Sequence, residues 1–180
     1  MEQVYASIED LKDFVRIPEE DDTDDAVLEV ALVAASRAID RFTGRVFDSA
    51  EDTRTFEVLD GYAIVDDLAR IDDVKLNGKT VTPSPWPRNA ASVGRPYERL
   101  FFDANARGVV EVTGLFGWPD VPQAIKQACL LQANRIRARR DSPLGVAGSP
   151  EIGSELRLLA RLDPDVEVLV SGYRRVWGAA

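Results

Sequence analysis

Four arginines crowd the end of one predicted helix, and their type and spacing suit recognition of a charged partner. Arg135, Arg137, Arg139 and Arg140 close a segment that begins at Pro122. Such a cluster can be a solvated helix end that meets the negative pole of the helix dipole. It can equally contact a neighbouring protein or bind the phosphates of a nucleic acid. All three interpretations are open from the residues alone.

The helix that carries these arginines is predicted over residues 122–140. Asp120 can cap it, and Pro122 fits its first turn, where no amide hydrogen bond is lost. Its apolar residues recur at helical spacing, namely Ile125, Ala128, Cys129, Ala133 and Ile136. Cys129 is the only cysteine of the chain, so it cannot form an internal disulfide and is expected to pack as a small hydrophobe.

No catalytic pattern is present in the sequence. The chain has no histidine, which is the commonest general base and metal ligand. It also lacks the glycine-rich phosphate loops, paired-cysteine motifs and nucleophilic-serine motifs of common enzymes. The carboxylate pairs Asp66-Asp67 and Asp72-Asp73 could do acid–base or metal chemistry, but adjacent strand residues point to opposite faces. We therefore expect a protein that is not an enzyme and that holds no cofactor or metal.

An acidic turn, EEDDTDD, occupies residues 19–25 and carries six acids in seven residues. A calcium-binding loop counted from Asp21 would place Ala26 where the sharp turn needs glycine. The turn is therefore predicted to begin the next helix, with Thr23 or Asp24 as its cap.

Two helices are predicted before residue 48. Ser7 and Asp10 are suited to cap a short helix that ends near Val15. A longer helix is predicted from residue 26 to residue 42, and Gly44 is placed to end it. Its many alanines permit close contact with the 122–140 helix, and the predicted core face consists of Val27, Val30, Ala31, Ala34, Ala38, Ile39 and Phe42.

The sequence pattern of residues 53–114 consists of short β-rich runs separated by Asp, Gly and Pro, which predicts an antiparallel sheet of short strands. Asn77-Gly78 is the strongest hairpin signal, because it matches a two-residue turn. Residues 82–96 contain four prolines, so they are predicted to form an exposed loop and not a central strand. Trp86 in this loop either lies against its own domain or fills a groove between subunits.

The end of the chain combines a glycine-, proline- and serine-rich stretch with an apolar terminus. Residues 142–154 are predicted to be a flexible link. The apolar side chains after it include Leu169, Tyr173 and Trp177, of types that often carry interface energy. We therefore expect an arm that needs a neighbouring molecule to bury them.

Three blocks of this sequence resemble the head–tail connector (adaptor) proteins of tailed double-stranded DNA bacteriophages. The first is residues 5–47, a short helix, acidic turn and long Ala-rich helix that ends in RFTGRVF. The second is VTGLFGWPDVPQAIKQACLLQANRI at 112–136, and the third is LLARLDPDVEVLVSGYRR at 158–175. They follow one another in the family's order, and none is a catalytic signature.

This resemblance implies a virion protein of the phage neck that acts by contact, as one subunit of a ring of about twelve copies under the portal. The implied partners are the portal protein, neighbouring copies of itself, the next neck or tail protein, and double-stranded DNA in passage. No membrane partner is implied. No apolar run long enough to span a bilayer and no signal peptide is apparent, so synthesis in the host cytoplasm is expected.

The charge of −9 is unevenly distributed, which bears on DNA passage. Residues 1–60 carry 17 acids and 6 bases, residues 61–120 carry 8 and 7, and residues 121–180 carry 6 and 9. A ring would repeat this asymmetry around its axis and so present bands of electrostatic potential. That would suit a sleeve through which DNA slides without sticking.

The predicted fold class is α+β: a small helical bundle formed by the N- and C-terminal parts, with an inserted antiparallel β-sheet and a flexible C-terminal arm. Residues 1–48 and 115–141 are assigned to the helical core, 49–114 to the β-rich insertion, and 142–180 to the flexible link and assembly arm. The predicted partner interface consists of Arg135, Arg137, Arg139, Arg140, Leu169, Tyr173, Arg174, Arg175 and Trp177. The alternatives are a nucleic-acid-binding packaging subunit, or another neck component such as a stopper or a tail-completion protein.

Overall fold

The computed structural model describes residues 4–140 and 162–175, and the backbone of the short strands Val146–Ala147 and Leu156–Arg157. These residues contain four α-helices and an antiparallel sheet of six strands, so the predicted α+β class is confirmed. The chain divides into two compact units. A helical unit contains Met1–Arg45 and Pro122–Ala180, and a β unit contains Val46–Val121.

The first helix of the helical unit, α1 (Ile8–Val15), begins at the predicted capping pair. The Ser7 hydroxyl accepts a hydrogen bond from the Asp10 amide at 3.1 Å, and the Ser7 amide donates to the Asp10 carboxylate at 3.0 Å. These reciprocal bonds satisfy two amides that the first turn leaves without helical partners. The helix ends at Arg16, which has the left-handed φ of 61°.

The long helix α2 (Asp25–Thr43) ends at Gly44, as predicted, with a left-handed φ of 66°. Asp24 occupies the N-cap position before the helix, as one of the two predicted caps, but its side chain makes no capping hydrogen bond. The predicted core face is partly wrong, because Val30 is 69% exposed and Ala34 is also exposed. The helix does bury the predicted Ala31 and Ile39, and it also buries Leu28, Leu32, Ala35, Ser36 and Thr43.

The third helix, α3 (Gln123–Arg140), packs against α2, which confirms the predicted helical core. Ile125, Ala128, Cys129 and Ala133 are fully buried along it. The Cys129 sulfur lies 3.5 Å from the Ser36 hydroxyl. Burial raises the pKa of the Cys129 thiol, which keeps it neutral, as expected for a packed cysteine.

The α1 helix lies antiparallel to α2 and is tied to it at both ends. The Tyr5 amide donates to the Ser36 hydroxyl at 3.2 Å, and the Tyr5 hydroxyl bonds to the Asp40 carboxylate. At the other end, the buried Lys12 ammonium lies 2.7 Å from the Asp25 carboxylate. This pair connects α1 to the acidic turn and raises the pKa of Lys12.

The β unit is a sheet of six antiparallel strands. In chain order they are β1 (Ser49–Val58), β2 (Tyr62–Leu76), β3 (Lys79–Thr80), β4 (Ser84–Trp86), β5 (Tyr97–Phe101) and β6 (Gly108–Gly117). The spatial order is β1-β6-β2-β5-β4, with β3 paired to β2. Its core is formed by Val58, Ala63, Val65, Leu68, Val74, Leu100, Val110, Val112 and Phe116.

Strand β2 joins two runs that the sequence pattern separates. Its first half pairs with β5 and its second half with β6, with register shifts between them. Asn77 and Gly78 then form the predicted two-residue turn, with φ of 51° and 79°. The Asn77 side chain also accepts from the Val109 amide at 3.1 Å and donates to the Arg107 carbonyl at 3.0 Å. The turn residue thus also connects β2 to the start of β6.

The proline-rich segment is not entirely a loop, which corrects the sequence prediction. Residues 84–86 form β4 and pair with β5 at the edge of the sheet. Pro85 is tolerated there because an edge strand has one row of amides that needs no partner in the sheet. The remainder includes a short 3₁₀ turn at Ala91–Val93.

We predict that Gly117→Ala destabilises the protein by about 3 kcal/mol or more, because Gly117 leaves no room for a side chain. Its φ is 111°, and a β-carbon would lie 1.6 Å from the Asp48 carbonyl oxygen. Gly172→Ala is the matched control, because no atom lies within 4 Å of its added carbon. Urea unfolding should show the loss for Gly117→Ala only, and equal midpoints for the two variants would contradict this account.

Candidate assembly surface

The C-terminal segment packs on the chain's own helices, a placement that differs from the free arm expected from the sequence. The fourth helix, α4 (Pro164–Val170), lies against α3 and fully buries Val166 and Val170. Asp163 caps it by accepting from the Asp165 amide at 2.9 Å. Because aliphatic side chains gain roughly 1.5–3 kcal/mol each on burial, this packing needs no neighbour.

Arg135 holds the start of α4 in place. Its guanidinium forms an ion pair with the Asp163 carboxylate, and the side chain is only 15% exposed. The Asp163 amide also donates to the buried Gln132 side chain at 3.2 Å. Arg135 therefore acts within the helical unit and positions the C-terminal segment.

The other three arginines of α3 lie in its last turn. Arg137 and Arg139 are half-buried, and Arg140 is exposed at the end of the helix. The structure thus divides the cluster into one arginine that binds Asp163 and three in the last turn, of which only Arg140 is exposed. A charged partner could reach Arg140.

The residues after α4 bind the end of α2. Arg45 donates from Nε to the Tyr173 carbonyl at 2.7 Å, and the Arg175 amide donates to the Thr43 carbonyl at 2.7 Å. The Arg174 guanidinium lies over the Phe42 ring, 5.2 Å from its centroid. These contacts explain why the chain returns to α2 despite the long link before α4.

The predicted interface residues in this segment have different surroundings. Leu169 and Tyr173 are half-buried, whereas Arg174 is exposed. Val168, which the sequence reasoning missed, is 76% exposed. The sequence does contain a signal for this exposure. Residues four apart share a side of a helix, so Val166 and Val170 lie together and Val168, midway between them, lies on the opposite side. Trp177 and the predicted link 142–154 lie outside the described residues, apart from the backbone of the strand at 146–147.

We predict that Arg135→Ala costs about 1–3 kcal/mol of stability, because it leaves the Asp163 carboxylate without its ion-pair partner. Arg140→Ala is the matched control on the same helix, and an exposed substitution should change stability by no more than about 0.5 kcal/mol. Denaturant unfolding followed by circular dichroism measures both. A loss for Arg140→Ala as large as that for Arg135→Ala would show that the ion pair contributes nothing.

The aspartate pairs are used in structural contacts of the β unit. The Asp66 carboxylate lies 3.0 Å from Arg54, Asp72 lies 2.8 Å from Arg70, and Asp73 lies 3.3 Å from Lys75. The buried Asp67 accepts from the indole nitrogen of Trp118 at 3.1 Å. Within the described residues, no group of three or more acids or cysteines is arranged to hold a metal ion.

No described helix has the length and apolar character needed to cross a membrane.

Comparison with known proteins shows the fold. No protein-family model and no curated protein matches this chain. One solved chain, from the neck of an empty GTA (gene transfer agent) particle computed with C6 symmetry, aligns with a TM-score of 0.58 and 18% identity. The alignment covers 97% of this chain and 93% of that chain. A chain from the neck of a native GTA particle computed with C12 symmetry aligns with a TM-score of 0.49 and 18% identity, over 96% and 91%.

The likeness to the empty-particle neck chain extends over nearly the whole length of both proteins. It therefore includes both the helical unit and the β unit of this chain, and not one motif. The two chains share an α+β fold.

Proposed function

We propose that this protein is a structural subunit of the neck of a phage-like particle. Copies form a ring that joins the portal of the DNA-filled head to the tail and lets DNA pass. The observation that carries this proposal is the likeness of fold to a GTA neck chain, over 97% of this chain and 93% of the other. The three sequence blocks that resemble phage connector proteins support the same role independently.

A ring is the assembly that suits a neck, because the joint must surround a DNA channel. The C6 symmetry used for the GTA neck is cyclic, and cyclic assemblies are built from repeated head-to-tail contacts. The number proposed from the sequence resemblance is about twelve subunits, a multiple of six. In such a ring this chain acts by contact and performs no chemistry.

The proposed interface to the portal and the next neck protein lies near the chain's C-terminal helices and consists of Arg137, Arg139, Arg140, Leu169, Tyr173, Arg174, Arg175 and Trp177. Arg135 belongs to it as a positioning residue, since its pair with Asp163 orients α4. Arginine and aromatic residues are the types that most often dominate interface energy. The excess of acids in residues 1–60 would discourage DNA from adhering as it passes.

The second candidate is a nucleic-acid-binding packaging subunit, favoured by the cluster of Arg137, Arg139 and Arg140 in the last turn of α3. The net charge of −9 opposes it, because nucleic-acid-binding domains are normally basic. A connector should bind duplex DNA no tighter than the non-specific range of about 10⁻⁴–10⁻⁶ M at physiological salt. Nanomolar binding that is lost when the three arginines become alanine would support the packaging subunit instead.

The ring is tested by measuring the mass of the isolated protein and of its mixture with the portal protein of the same particle. We expect a closed ring, at least when the portal is present. A two-fold dimer that does not bind the portal would contradict the connector role. A ring that binds another neck protein but not the portal would indicate a stopper or tail-completion protein.

A further inference from the structure

Strand β1 forms one edge of the six-stranded sheet and is ten residues long. Among the described strands it pairs with β6 alone. Four consecutive residues, 50–53, are exposed. An edge strand of this length presents a row of backbone amides and carbonyls with which another molecule's strand can pair.

The register of β1 and β6 shows which backbone groups of β1 point outward. The Trp118 amide donates to the Asp48 carbonyl at 3.1 Å, so residue 48 turns its backbone toward β6. Residues of an antiparallel strand alternate between those that bond to the neighbouring strand and those whose amide and carbonyl point away from it. Counted from residue 48, the outward set is Ser49, Glu51, Thr53, Thr55 and Glu57.

The side chains of one pair agree with this assignment. The Thr53 and Thr113 hydroxyls lie 2.9 Å apart across β1 and β6. Such closeness is typical of the narrow pairs, in which the two residues do not bond to each other through the backbone. Thr53 is therefore the middle residue of the outward set.

The outward amide of Thr53 is already bonded within its own strand. It donates to the Asp52 carboxylate at 2.8 Å, and the other oxygen of that carboxylate accepts from Arg54 Nε at 2.7 Å. Arg54 is held in turn by Asp66 at 3.0 Å, and its guanidinium lies 4.4 Å from the centroid of the Phe116 ring. These contacts fix the Asp52 carboxylate beside the centre of the edge. The Arg54 guanidinium and the Thr53 amide also hold the pKa of Asp52 below its usual range, so the carboxylate is ionised at neutral pH.

The side chains of β1 do not by themselves prevent two copies from pairing. If two β1 strands meet antiparallel about Thr53, Glu51 lies opposite Thr55, and Asp52 lies opposite Arg54 of the other copy. No like charges are then directly opposite, and opposite charges favour such a pair. The strand also contains no proline and no lysine, which commonly protect edges.

We propose that Asp52 closes the β1 edge against pairing with the same edge of a second copy, because it occupies the Thr53 amide. In a pair centred on Thr53, each Thr53 amide would donate to the Thr53 carbonyl of the other copy. Pairing must therefore break a bond to a carboxylate, which is about twice as strong as a bond between neutral groups. The closed edge is a property of the sheet and does not rest on the neck role.

The closed edge also bears on how copies associate. Two β1 strands that pair about Thr53 use the same surface on both copies, which gives a two-fold dimer. A two-fold contact does not propagate from copy to copy around a ring. By closing this edge, Asp52 leaves the copies to associate through other surfaces.

Residue-resolved amide hydrogen exchange of the unaltered chain tests the bond itself. Relative to its rate in an unfolded chain, the Thr53 amide should exchange about tenfold or more slowly than the Glu51 and Thr55 amides, which point outward without such a carboxylate. Equal protection at the three amides overturns the proposal, whether all are fast or all are slow.

Three variants test the consequence, with mass measured by light scattering over a range of concentrations. Asp52→Ala removes the carboxylate, whereas Asp52→Asn keeps a side-chain oxygen that can accept from the Thr53 amide. Asp72→Ala is the matched control, because Asp72 is exposed and lies 2.8 Å from Arg70, also two residues away. Among the described residues, Asp72 accepts only from that arginine and not from an amide.

We expect Asp52→Ala alone to associate beyond the unaltered chain, at a concentration lower by about tenfold or more. The Glu51 and Thr55 amides should become protected in these assemblies. The proposal is overturned if Asp52→Ala keeps the mass of the unaltered chain, or if it associates without that protection. It is also overturned if Asp72→Ala or Asp52→Asn associates equally, because loss of a negative charge is then sufficient.

Discussion

A chain that stops after Leu162 is expected to lose at least about 3 kcal/mol of stability in its helical unit. The truncation removes Val166 and Val170, both fully buried, and exposes the apolar surface of α3 that they cover. It also leaves Arg135 without the Asp163 carboxylate and Arg45 without the Tyr173 carbonyl. A buried charge that loses its partner adds to the cost.

The measurement is chemical unfolding followed by far-ultraviolet circular dichroism. A chain that stops after Arg175 is the matched control, because it keeps α4 and its contacts with α2 and removes only residues 176–180. We expect the control to keep the stability that the truncation at Leu162 loses. If the two truncated chains unfold at the same denaturant concentration, α4 contributes nothing to the fold and the segment is an arm after all.

Ile125→Asp is expected to cost several kcal/mol, on the order of 3–5, because it places an unpaired carboxylate in the helical core. Ile125 is fully buried on α3. Val30→Asp makes the same chemical change at a position that is 69% exposed, so it should alter stability by no more than about 0.5 kcal/mol.

The structure and the sequence pattern predict different results for this pair of variants, because the pattern places both residues in the core. Thermal unfolding of the two variants beside the unaltered chain gives the comparison. Equal losses for the two variants would show that the buried side of α2 has been misassigned.

Features set by local chemistry could be predicted from the sequence. The Ser7–Asp10 capping pair, the Gly44 helix end and the Asn77-Gly78 turn each depend on a few adjacent residues. Such signals carry their own physical cause, namely a side chain that caps an amide or a glycine that accepts a left-handed φ. The packing of α2 against α3 could also be predicted, because both helices have apolar residues at helical spacing.

The buried side of α2 could not be predicted, because alanine and valine occur all around this helix. Apolar spacing then defines two possible faces, and only contact with α3 selects the one with Leu28 and Leu32. The aspartates within β2 likewise made the sequence pattern predict two short strands there. In the structure β2 is one strand, because it pairs first with β5 and then with β6.

The candidate surfaces depend on residues that are distant in sequence. Arg135 meets Asp163 across a separation of 28 residues, and nothing local to either residue indicates this pair. The exposed face of β2, β5 and β4 likewise depends on their register, which places Ile64 beside Arg99 and Arg99 beside Trp86. Sequence spacing shows which residues share a side of one strand, but not which strands are neighbours.

The central claim is that this chain forms the ring between portal and tail, and a cryo-electron microscopy reconstruction of the particle neck tests it most directly. We expect density for this α+β subunit in a closed ring around the DNA channel, with one side in contact with the portal. Particles whose neck lacks this subunit, or that carry it only away from the channel, would contradict the account.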